Sequence, residues 1–97
     1  MAAGVRDKLR SEVLSSYWED LAPHQARGAL LLLAPELDLL DAAEAMAHDD
    51  TARVSAWLAS GVLRRVSAGE AAQLEATEDL RFQFVVVQPW VLAQALR

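Results

Sequence analysis

Arg81-Phe82-Gln83-Phe84-Val85-Val86-Val87-Gln88-Pro89-Trp90-Val91-Leu92-Ala93-Gln94-Ala95-Leu96-Arg97 closes the chain, and its reading decides the fold. Arg81–Val87 combines β-branched and aromatic residues, the composition of a strand. Pro89 interrupts that run. The tail behind it, Pro89–Arg97, is apolar on every side. It reads either as a short helix with proline at its first position or as a further extended segment. An aromatic anchor beside unpartnered apolar residues is what a protein contact uses. An uncovered Val85-Val86-Val87 edge is a template for pairing. Trp90, Val91, Leu92, Val85 and Val87 are therefore the candidate interaction residues, the alternative being a tail that folds back and covers the first helix.

Working back from this stretch, Ser67 and Glu70 have the spacing of a capping box, opening a helix through about Thr77. Val62–Val66 reads as a strand. Asp50 caps a helix over Thr51–Ser60 that Gly61 ends in the left-handed conformation. Asp38 caps another over Leu39–His48, with Asp41 and Glu44 near the positive end of its dipole. The two form a helix–turn–helix pair. Ala29–Ala34, six apolar residues between Gly28 and Pro35, suits a buried strand. At the start, Val5, Leu9, Val13, Tyr17 and Leu21 recur every fourth residue, with Leu14 and Trp18 widening the stripe. This is one amphipathic helix, stopped at Ala22 by Pro23.

The expected fold is α+β: a small three-stranded, mainly antiparallel sheet with about four helices, in a winged-helix-like element order. The 97 residues allow one domain, 1–97. A hydrophobic fraction of 54% with a net charge of only -5 excludes a disordered chain. The absence of cysteine excludes disulfides, thiolate zinc sites and iron–sulfur clusters. No basic, apolar leader opens the sequence and no apolar run approaches membrane-spanning length, so a cytoplasmic protein is expected.

Pro35-Glu36-Leu37-Asp38-Leu39, the Asp49-Asp50 pair, Trp57 with Gly61, and Val85-Val86-Val87-Gln88-Pro89-Trp90-Val91-Leu92 resemble a family of small bacterial proteins, domain of unknown function 2288. The likeness runs from about Leu9 to Gln94, and Gln88–Leu92 is its most distinctive part. It implies a compact single domain and carries over no catalytic residue, cofactor or partner.

The residues themselves point away from catalysis. No serine stands in a G-x-S-x-G elbow, and Gly4, Gly28, Gly61 and Gly69 are isolated, so no phosphate-binding glycine loop is present. The acidic pairs Glu19-Asp20, Asp49-Asp50 and Glu78-Asp79 fall at element ends, where caps and solvated turns explain them. His48-Asp49-Asp50 gathers metal-capable groups, but neighbours in a helix-ending turn point apart. No enzyme, metal, cofactor or small-molecule ligand is expected. If the helix pair entered DNA, Arg53, Arg64 and Arg65 would be its contacts. The acidic balance disfavours such binding. The leading expectation is a non-catalytic interaction module that self-associates or binds another protein through its C-terminal segment.

Overall fold

Leu30, Leu31, Leu32 and Leu33 are all buried, between 2% and 6% exposed. Successive strand side chains point to opposite faces, so this strand must be covered on both sides. The computed structural model, which describes residues 3–96, shows how. In chain order it contains α1 (Ala3–Ser11), β1 (Leu14–Tyr17), α2 (Trp18–Ala26), β2 (Leu30–Leu33), α3 (Leu39–Ala47), α4 (Thr51–Ser60), β3 (Leu63–Arg65), α5 (Ala68–Ala76), β4 (Arg81–Val87) and β5 (Trp90–Ala95). The strands form one sheet in the order β1-β4-β5-β2-β3. β2 and β5 run parallel, and the other three pairings are antiparallel.

Leu31, Leu33, Leu63, Val85 and Leu92 face Leu9 of α1 and Leu39, Ala42 and Ala43 of α3. Leu30, Leu32, Phe82, Val91 and Ala93 face Trp18 and Leu21 of α2, with Ala71 and Leu74 of α5 beside them. The sheet is thus the middle of three layers. Each leucine fully withdrawn from water contributes about 1.5–3 kcal/mol. The four of β2 therefore stabilise both layers at once.

This architecture corrects the expected small three-stranded, mainly antiparallel sheet with about four helices. Among the described residues the sheet is mixed and five-stranded, and the helices number five. Two segments account for the difference. The tail after Pro89 is β5, with β4 on one side and β2 on the other. Its lack of a polar face reflects burial from both sides. The single helix expected over Val5–Leu21 is divided into α1, β1 and α2. The period-four stripe spans the break because Val5 and Leu9 of α1, Val13 before β1 and Leu21 of α2 all pack on the core, while Tyr17 of β1 stays exposed. α2 continues through Pro23 to Ala26, not stopping at Ala22. Proline there forgoes a helical hydrogen bond, and burial of Trp18 and Leu21 offsets the loss. With β1 splitting the first helix and β5 at the sheet centre, the winged-helix-like order does not hold.

The helix caps stand where the sequence puts them. Asp38 accepts from the amides of Leu40 and Asp41, and Asp50 from that of Arg53. Ser67 accepts from the Glu70 amide. The Glu70 carboxylate takes both guanidinium prongs of Arg64, at 2.7 and 3.1 Å, in place of the reciprocal half of the capping box. Arg6 fastens α1 to α3: it donates to Asp41 at 2.8 Å and lies 3.6 Å from Glu44 and 3.7 Å from Asp38. The hydrogen bond to Asp41, backed by these carboxylate charges, raises the guanidinium pKa above its ordinary value.

Gln94 makes a long polar tie through the core. Its buried Nε2 donates to the carbonyls of Ala34 and Leu37, and its Oε1 accepts from Gln83 Nε2 at 2.9 Å. A buried amide satisfied this way fixes the loop that launches α3 at little net cost.

Candidate functional site

The turn from α3 to α4 and the turn from β4 to β5 meet across a cleft of about 280 Å³. The first turn is built by local chemistry. Asp49 adopts a left-handed backbone with φ 55°, a conformation aspartate tolerates better than most residues. Asp49 N–H then donates to Met46 and Asp50 N–H to Ala45, which closes α3 in a Schellman pattern. The second turn is Gln88-Pro89, with a cis peptide bond between the paired residues Val87 and Trp90. Met46, Val54, Val87, Pro89 and Trp90 supply the apolar wall. Asp49, Asp50, Thr51, Ser55 and Gln88 supply the polar rim. Trp90 is half-buried, packs on the core and carries the Arg65 guanidinium 5.4 Å from its ring centroid.

The cleft gathers two stretches that the sequence singled out separately, Asp49-Asp50 and Gln88-Pro89-Trp90. Of the five expected interaction residues, it takes Val87 and Trp90. Val85, Val91 and Leu92 are 0%, 1% and 0% exposed. They belong to the core and offer nothing to a partner, which corrects the expected docking face along the C-terminal segment. Met46, Val54, Thr51 and Ser55 were not among the expected interaction residues. Only the pairing of the two turns in space brings them to the site.

The three arginines that the alternative, nucleic-acid binding, would use do not share one surface. Arg64 and Arg65 are neighbours on β3 and so project to opposite faces. Arg64 pairs with Glu70, Arg65 lies on Trp90, and Arg53 of α4 lies 4.9 Å from the ring centroid of Trp57. His48 is exposed. Among the described residues no three His, Asp or Glu side chains group as they would around a metal ion, and the Asp50 carboxylate is engaged as a cap.

Other hollows are larger. One of about 570 Å³ lies beside Gln83, Gln94 and the Ala34–Leu40 loop, and one of about 680 Å³ lies between α2 and α5. In the first, Gln94 is committed to internal hydrogen bonds. The second also sets aromatic residues, Tyr17 and Trp18, beside acidic ones, Glu19, Glu75 and Asp79; the Trp90 cleft is set apart by joining two turns that the sequence singles out.

The three-layer fold defines a small α+β domain built around a mixed sheet. The chain belongs to the family described as Protein of unknown function (DUF2288), which matches residues 4–95, the family that its Gln88–Leu92 stretch resembles. It is similar in structure to PA1075 from Pseudomonas aeruginosa, known from an NMR solution structure. The TM-score is 0.82 and the identity 38%, over 97% of this chain and 86% of that one. No curated protein matches the chain. No helix among the described residues is long and apolar enough to cross a membrane.

Proposed function

We propose that this protein is a non-catalytic interaction module whose cleft at Trp90 receives an apolar side chain next to a basic one from another protein. The observation that carries this reading is the composition of the cleft. An apolar wall of Val54, Val87, Pro89 and Trp90 stands beside the carboxylates of Asp49 and Asp50. Aromatic residues in partly desolvated pockets are the usual anchors of protein contacts. The acidic rim selects Lys or Arg over Asp or Glu, and the net charge of -5 steers basic partners in the same direction.

The test is an NMR titration with two short peptides that differ only in placing lysine or glutamate beside leucine. The lysine peptide is expected to shift the Trp90 indole and the amides of Gln88 and Ser55. The shifts should shrink with added salt and vanish in Trp90→Ala. Equal response to both peptides, or to neither, overturns the reading.

A further inference from the structure

We propose that the β1 edge of the sheet is a contact between two copies of this chain, which pair β1 to β1 antiparallel about Ser15. The starting point is which backbone groups face outwards. Leu96 N–H donates to the Arg81 carbonyl, so Arg81, Gln83 and Val85 direct their backbone groups to β5. Phe82 and Phe84 therefore direct theirs to β1, where they meet Ser16 and Leu14. The backbone groups of Ser15 and Tyr17 are left pointing away from the sheet. Val86, one step beyond the Leu14–Phe84 pair, has no partner on β1.

The side chains do nothing to close this edge. Natural edges are guarded by lysine, proline, bulges or inward charges. Leu14-Ser15-Ser16-Tyr17 has none of the guarding residues. Leu14 is 59% exposed and Tyr17 47%, among the most exposed large hydrophobic side chains described, and Val86 at 40% lies on the same face as Leu14.

Charge identifies the occupant as a second copy and sets its direction. At one end of β1 the Arg81 guanidinium lies 5.6 Å from the Tyr17 ring centroid. Just before the other end stands Glu12, exposed. An antiparallel pair centred on Ser15 sets Tyr17 opposite Val13 of the second copy, one residue from that copy's Glu12. The arginine of each chain thereby reaches the glutamate of the other, twice over by symmetry. Parallel pairing would set glutamate on glutamate and arginine on arginine. The centre of the strand carries no charge, so the two-fold axis brings no repulsion. A contact of this kind is isologous and closed.

Sedimentation of the full chain over a range of concentrations tests the proposal. The expected result is a concentration-dependent dimer, with the Ser15 and Tyr17 amides exchanging more slowly as it forms. Ser15→Lys sets two like charges against each other on the axis and should abolish the dimer. Ser15 is exposed and makes no ladder bond inside the chain, so an unchanged circular dichroism spectrum is expected. Glu12→Arg should weaken the dimer, and Glu12→Arg with Arg81→Glu should restore it. A wild-type chain that stays monomeric to high micromolar concentration overturns the proposal, as does a Ser15→Lys dimer as stable as the wild type. The edge shares no residue with the Trp90 cleft, so peptide binding by Ser15→Lys stays intact whichever way the dimer test falls.

Discussion

The two edges of the sheet are of similar length and differ in how they end. β3, three residues long, carries Arg64 and Arg65. The first is held by Glu70 and the second lies on Trp90. β1, four residues long, has no charged side chain and leaves Leu14 and Tyr17 in solvent. Charged residues on an edge block pairing with another chain. The arginine pair of β3 is therefore better explained as a guard on the sheet than as a phosphate contact. A bare edge opposite a guarded one directs any pairing to one side and so favours closed pairs over open-ended stacking.

The most severe way to break this comparison is from behind β1. Phe82 is 1% exposed, stands opposite Ser16 and packs on Trp18 with ring centroids 6.1 Å apart. Phe82→Ala should cost about 3–5 kcal/mol, the usual range for a buried aromatic truncated to alanine, read as a fall in the urea midpoint. Amide protection should be lost on the β1–β4 side before the β2–β3 side. Simultaneous loss would show that the two edges share one support and differ only at their surfaces.

What the sequence disclosed and what it hid follow the same physics. α4 and β4 have the boundaries expected for them, and the Asp38, Asp50, Ser67 and Gly61 signals act where they were read. Caps and β-branched runs are local, and a local signal survives any tertiary arrangement. β5 was left undecided between a short helix and an extended segment because an apolar run without periodicity looks alike whether it is a sticky tail or a strand covered on both faces. β1 was hidden because Val5, Leu9, Val13, Tyr17 and Leu21 kept a helical spacing that Ser15-Ser16 only weakly opposes. The cleft was half legible. Asp49-Asp50 and Gln88-Pro89-Trp90 stood out as motifs, but their meeting depends on the sheet order, which no single stretch encodes.

Trp90→Ala tests the guarded side next. It removes a half-buried ring from the core and the platform beneath Arg65, an expected loss of about 2 kcal/mol in urea unfolding. The freed Arg65 would no longer be fixed over the β3 edge, so faster exchange of the β3 amides should accompany the loss. If exchange there stays unchanged, the stacking does not contribute to the guard. Arg64→Ala is milder. The Arg64 and Glu70 side chains are 48% and 29% exposed, and such a pair contributes about 0.5 kcal/mol, less in high salt. Its larger consequence is colloidal. Arg64→Thr combined with Arg65→Thr makes β3 as bare as β1, and light scattering should then grow with concentration beyond the dimer.

The smallest expected effect separates a tolerated flaw from a used one. Ser16 lies in β1 with its Oγ buried and without a hydrogen-bond partner. A buried hydroxyl without a partner is destabilising, and replacing it with a methyl group of similar shape removes the deficit. Ser16→Ala should therefore fall within about 0.5 kcal/mol of wild type, on the stabilising side, where Ser67→Ala, which removes a working cap, should lose about 1 kcal/mol. If Ser16→Ala instead destabilises the chain by as much as Ser67→Ala, the buried hydroxyl contributes to the fold and is no flaw, and the weakness of β1 is confined to its outward backbone groups.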